Sequence, residues 1–135
     1  MKLAICIDKN GGVLFCGRRL SQDRILREKL LTLLPENGFL YLSPYSAKQF
    51  ENQERLVCNE NFLTLANEQD ICFIEESFTN FEIVDTIYLF QWNRLYPADV
   101  FFEFDSETLG FKKSSTQDFE GSSHKKITLT VYERK

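Results

Sequence analysis

Leu3-Ala4-Ile5-Cys6-Ile7-Asp8-Lys9-Asn10-Gly11-Gly12, then Gly17-Arg18-Arg19-Leu20-Ser21-Gln22-Asp23 and a leucine-spaced run to Leu34, decide how this chain is laid out. Leu3 to Ile7 is apolar without alternation, as in a strand covered on both faces near the centre of a sheet. Asp8 to Gly12 closes it with a glycine turn. Ser21 has the chemistry of a helix N-cap, with Asp23 in the first turn where the helix dipole favours a carboxylate. Leu26, Leu30, Leu33 and Leu34 share one helical face, and Pro35 with Asn37-Gly38 ends that helix. Two arginines and an aspartate therefore meet beyond the end of a buried strand, the place where open α/β sheets bind ligands.

The rest of the chain repeats the alternation. Phe39 to Leu42 reads as a strand, and Ser43-Pro44 opens a short helix through Phe50. Arg55 to Cys58 is a third strand, and Asn59 caps a helix carrying Phe62, Leu63 and Ala66. Ile71 to Ile74 is a second fully apolar strand. A helical turn around Phe78 to Ile83 leads into Thr86 to Trp92. This pattern predicts an α/β domain spanning residues 1–135, with a mixed, mainly parallel sheet flanked by helices. Thr108 to Lys113 and Lys126 to Tyr132 are read as the strands of a C-terminal antiparallel hairpin. Ser114 to His124 is too polar for a core and is read as its loop.

The 135 residues suffice to bury roughly two-thirds of the unfolded surface. Thirteen phenylalanines imply an aromatic core. A net charge of −4 excludes a general nucleic-acid or anionic-membrane binder but leaves room for a local basic patch. No apolar run approaches the ~20 residues needed to cross a bilayer. Cys6, Cys16, Cys58 and Cys72 lack C-x-x-C spacing, so buried free thiols and a cytoplasmic location are expected. The lone histidine, His124, makes a metal site improbable, and adjacency alone does not make Ser123-His124 a nucleophile and base.

With this layout the chain resembles dihydrofolate reductase. In that family an apolar first strand ends in an aspartate and glycine turn, followed by a mobile loop and "leucine, proline, any residue, aspartate" opening a helix. Ile5 to Gly12 and Leu20-Ser21-Gln22-Asp23 occupy those places. Leu40 to Phe50 lies where the family has its second strand and cofactor-phosphate helix. Ala98-Asp99-Val100-Phe101-Phe102 and Ser123-His124 with Ile127 to Arg134 resemble its closing segments. The chain is also similar to a group of short bacterial proteins that share the arginine-rich loop and Trp92-Asn93-Arg94. Some of these carry nuclease-like labels, which no residue here justifies.

Departures from the family pattern carry the functional expectation. Where the reductases set glycines to cradle the dinucleotide pyrophosphate, this chain has Glu75-Glu76-Ser77, and a carboxylate repels phosphate. The phosphate-binding "glycine, arginine, any residue, threonine" appears as Ser43-Pro44-Tyr45-Ser46. The segment bearing the folate-binding arginine is missing. Arg18 or Arg19 replaces the tryptophan beside the catalytic loop, Arg27 replaces the aromatic on the helix, and Phe90 replaces a pterin-binding threonine. The expectation is a non-catalytic binding protein on a degenerate reductase scaffold, without cofactor, metal or nucleic acid. Its partner would be a basic protein, as for an immunity protein or antitoxin facing a nuclease. The alternative is a small-anion enzyme or sensor with a cleft of Arg18, Arg19, Asp23, Arg27 and Phe90. An active NADPH-dependent pteridine reductase ranks third.

For most of these residues a structural role stands beside the functional one. Asp23 matches the family's proton-relay acid, or it pairs with Arg19 or Arg27. The cluster of Arg18, Arg19, Arg24 and Arg27 is either an anion site or a solvated face paired to Asp23 and Glu28. Trp92, Arg94 and Tyr96 offer partner-binding chemistry, with core packing as the default for Trp92. Glu75 and Glu76, with Glu51, Glu54, Glu60 and Glu68, form a partner surface or simply a solvated acidic face. Asp99 is read as a clamp accepting N–H bonds from Gly11 to Val13. His124 is read as part of a hairpin loop.

Overall fold

Strand β1 (Lys2–Ile7) lies at the middle of the sheet, as its unbroken apolar run requires. The computed structural model describes residues 1–50 and 54–135, so Glu51 lies outside the described residues. β1 is followed by β2 (Gly12–Phe15), β3 (Arg18–Arg19), helix α1 (Arg24–Thr32), β4 (Leu40–Leu42), α2 (Pro44–Ala47), β5 (Leu56–Cys58) and α3 (Phe62–Leu65). Then come β6 (Ile71–Ile74), a 3-10 turn (Phe81–Ile83), β7 (Thr86–Gln91), β8 (Val100–Phe101), α4 (Ser106–Leu109), β9 (Phe111–Phe119) and β10 (Ile127–Arg134). The main sheet runs β5-β4-β6-β1-β7-β10-β9. Its first five strands are parallel, β10 is antiparallel to β7, and β9 is antiparallel to β10. This is the mixed, mainly parallel sheet that the alternation implies.

Side chains of β1 alternate between two cores. Leu3, Ile5 and Ile7 pack with Ile74, Val84, Ile87 and an aromatic group of Phe78, Phe81, Phe102 and Phe111. Ala4 faces the other way, toward Leu26 and Leu30 of α1, Leu34 just past its end, and Phe73, Phe90 and Trp92. All four residues of β6 are buried, as a strand covered on both faces should be. Arg134 fastens the C-terminal strand: its guanidinium donates to the carbonyls of Phe81, Val84 and Leu109 and lies 4.5 Å over the Phe111 ring.

The end of the chain departs from expectation in detail. Thr108 and Leu109 belong to helix α4, which Gly110 terminates at φ +82°. The strand begins only at Phe111 and continues through the polar Ser114 to Phe119, which the sequence reading assigned to a loop. β9 is the sheet edge, and between buried Phe111 and half-buried Phe119 it is wet on both faces, so its backbone pairing with β10 needs no apolar pattern. A second, three-stranded sheet β3-β2-β8 was not foreseen, because strands of two to four residues carry no readable period. All four cysteines are free; Cys72 is buried and Cys6 half-buried, whereas Cys16 and Cys58 are exposed, contrary to the expected burial.

Candidate functional site

The carboxyl ends of β1 and β7, the β3–α1 loop and the β9–β10 turn converge on Asp23. This residue, not Ser21, is the N-cap of α1, with one oxygen accepting from Ile25 N at 3.0 Å and Leu26 N at 3.2 Å. The same carboxylate accepts from the N–H groups of Ser122 and Ser123, both at 2.9 Å, and from His124 Nδ1 at 2.9 Å. Burial alone would raise the Asp23 carboxyl. The hydrogen bond from His124 and the N–H groups of Ser123, Ser122 and Leu26 outweigh it and hold the group well below the usual carboxylate range. Gly121 permits the approach, since a Cβ there would overlap the carboxylate. The expected pairing of Asp23 with Arg19 or Arg27 does not occur; its partner is His124.

His124 is accordingly no loop residue. It is 5% exposed, stacks on Trp92 with ring centroids 4.6 Å apart, and places Nε2 2.9 Å from Ser21 Oγ and 3.2 Å from Tyr96 Oη. Ser21, His124 and Asp23 thus have the connectivity of a nucleophile, base and orienting acid. The imidazole is largely buried, and both of its ring nitrogens are engaged within the protein. The array is a latch joining the start of α1 to a turn about a hundred residues away. Trp92, 4% exposed, belongs to this packing and not to a partner surface, whereas Arg94 is exposed and Tyr96 half-buried. Phe90 is fully buried and lines no cleft.

Beside the latch, Arg19 crosses from β3 to the end of β6. Its Nε lies 2.9 Å and its Nη2 3.1 Å from the two oxygens of Glu75, a bidentate pair. Ser46 Oγ at 2.8 Å and Gln49 Nε2 at 3.1 Å also donate to Glu75, and the guanidinium sits 4.4 Å over the Tyr45 ring. Glu75 is therefore an internal counter-ion, not a solvated acid, while Glu76 is exposed. The arginines do not converge on one ligand. Arg18 is exposed, Arg24 pairs with Glu28 at 3.1 Å, and Arg27 donates to Gln22 at 3.3 Å. Arg19 and Asp23 are thus engaged by the protein's own groups and Phe90 is buried, while Arg18 and Arg27 border separate cavities, so the five do not line one cleft.

Asp99 also has a different task from the one expected. It accepts from Cys16 N at 3.1 Å, and its own N–H donates to the Leu14 carbonyl. The clamp on the glycine turn is Asp8, 1% exposed, which accepts from Asn10 N, Gly12 N and Tyr96 N at 2.9, 2.7 and 3.0 Å. Among the described residues, no group of three or more His, Cys, Asp or Glu side chains is arranged to hold a metal ion. No helix there is long and apolar enough to cross a membrane.

A sheet of this order, with parallel strands closed by an antiparallel pair, is the dihydrofolate reductase fold. The chain superposes on a dihydrofolate reductase from Enterococcus faecalis, solved complexed with NADP(H) and RAB-propyl. The TM-score is 0.70 with 14% identity, covering 99% of this chain and 96% of that one. No family model matches the sequence, and no curated protein matches it.

Proposed function

We propose that this protein is a binding module on the dihydrofolate reductase fold and does not work as a pyridine-nucleotide reductase. The observation that carries the reading is Asp23. It stands where the resemblance puts the proton-relay acid, yet it is 2% exposed and committed to donors from α1 and the 121–124 turn. An acid so held has no lone pair free for a pterin ring. The relative solved with NADP(H) raises the question of that cofactor here, and the residues do not fit it. Glu75 puts a carboxylate at the end of β6 where a pyrophosphate needs N–H donors, and Arg19 already neutralises it.

The partner proposed for the module is a basic protein, with a nuclease toxin met by an immunity protein as the specific case. Its support is charge segregation. Glu82, Glu103, Asp105 and Glu107 are all exposed, and the segments bearing them are tied together by Phe81 and Phe104, 5.7 Å apart. They lie at the amino-terminal edge of β7, with Ile83 49% exposed among them. The test of the central reading is incubation with NADPH and dihydrofolate. No NADPH should be oxidised above the buffer rate, and turnover abolished by Asp23→Asn would overturn the proposal.

A further inference from the structure

At the opposite edge of the sheet lies a cavity of about 470 Å³ lined by Lys9, Trp92, Asn93, Arg94, Lys125 and Lys126. Four of the chain's sixteen lysines and arginines border this one space, in a protein whose net charge is −4. No carboxylate lines it. Among the described residues Lys9, Arg94 and Lys125 make no ion pair. Lys126 has only Asp118 at 3.8 Å, with both side chains more than half exposed, a contact worth little in water.

The backbone under these cations is fixed by hydrogen bonds between three segments distant in sequence. Lys9 N donates to the Arg94 carbonyl at 3.0 Å, and Trp92 N to the Ile7 carbonyl at 2.9 Å. Asn93 takes the left-handed conformation, φ +59°, which asparagine tolerates better than most residues. Its amide donates to the Lys126 carbonyl at 3.2 Å and to Thr128 Oγ1 at 2.9 Å, which anchors the lysine turn. Asn93 thus ties the Arg94 backbone to the Lys126 backbone beside the space that both side chains line. The site lies beyond the carboxyl ends of β1 and β7, the edge on which α/β sheets bind ligands.

We propose that this cavity binds a compact polyphosphate group, the di- or triphosphate of a small molecule. Four cations exceed what a monoanion can neutralise, and the arginine fork with lysine point charges suits adjacent phosphates. The cavity volume is in the range of small-ligand pockets. The acidic remainder of the surface opposes an extended nucleic acid, whose charge would continue past the cavity. The inference stands apart from the reading of Asp23 and Glu75, since it uses neither residue.

The test is calorimetric titration of the full chain with inorganic tripolyphosphate, pyrophosphate and monophosphate. Saturable one-to-one tripolyphosphate binding is expected, at least about tenfold tighter than monophosphate, weakening with salt. Arg94→Ala and Lys125→Ala should each weaken it about tenfold, as loss of one charge-assisted contact does. Lys112→Ala and Lys113→Ala, on exposed β9 at the other end of the sheet, should leave it unchanged. Amide shifts on binding should centre on residues 9, 92–94 and 124–126. Equal binding of all three anions, equal loss in the β9 variants, or tighter binding to a single-stranded oligonucleotide that grows with its length would each overturn the proposal.

Discussion

Replacing Asp23 by alanine separates a latch from a catalytic acid. The substitution removes the N-cap of α1, which costs about 1 kcal/mol. It also takes the charged acceptor from His124 Nδ1, leaving only Ser123 Oγ at 3.2 Å in a side chain 3% exposed, a cost of about 2 kcal/mol. The N–H groups of Ser122 and Ser123 lie in a partly exposed turn and can turn to water, so they add about 1 kcal/mol together. The total is about 4 kcal/mol, a large part of the stability of a domain this size. Since 1 kcal/mol shifts the melting point of such a domain by roughly 3–4 °C, the variant should melt some 12–16 °C lower. Thermal unfolding followed by circular dichroism reads the shift. Amide exchange should speed up in residues 120–126 and in the first turn of α1 together. An acid kept under strain for catalysis behaves in the opposite way, because its removal usually stabilises. An unchanged or raised melting point would refute the latch.

The same carboxylate predicts a pH dependence. Its pKa is depressed in the folded state, so its contribution is full above about pH 4 and shrinks as pH falls below that. The stability gap between the native chain and Asp23→Ala should therefore narrow in acid, as urea melts across pH would show. Asp8→Ala should cost about 3 kcal/mol and expose the amides of residues 10–16 to exchange, whereas Asp99→Ala should cost about 1 kcal/mol or less. Burial pushes the Cys72 thiol up to about 12, and burial with the nearby Glu75 charge raises Cys6 well above its ordinary value. Alkylation of the native protein followed by mass spectrometry should mark the exposed Cys16 and Cys58 and spare the other two. Truncation after Phe104 removes β10, the neighbour of β7, together with Arg134, and should abolish cooperative melting.

The fold was legible in the sequence because its central strands are extreme. Leu3 to Ile7 and Ile71 to Ile74 are apolar throughout, and only a strand covered on both faces suits such runs. The leucine spacing of α1 and the Ser43-Pro44 helix start were equally plain. Edge strand β9 was not, since a wet strand takes its order from a neighbour's backbone and leaves no period in its own residues. The site was half legible. Asp23, Arg19 and Glu75 stand out in the sequence, but with other partners in view, and the pairings Arg19–Glu75 and Asp23–His124 join residues 56 and 101 positions apart. No local rule reveals such contacts. The solitary histidine beside Gly121-Ser122-Ser123 offered the one available hint, because a lone imidazole in a polar stretch needs partners from elsewhere once buried. Asp99 misled because it sits in a segment resembling the reductases, while Asp8 supplies the clamp from the turn itself.

We propose that on this dihydrofolate reductase fold internal pairs, Arg19 with Glu75 and Asp23 with His124, stand where the resemblance would put cofactor and substrate contacts. Calorimetric titration with NADPH tests this most directly. No saturable binding should appear with a dissociation constant below about 100 µM, and adding Glu75→Gly to lift the carboxylate should not restore tight binding, because Pro44 still stands where the phosphate-binding arginine would be. A dissociation constant below about 100 µM for the native chain means some 5.5 kcal/mol or more of affinity, and it would contradict the claim.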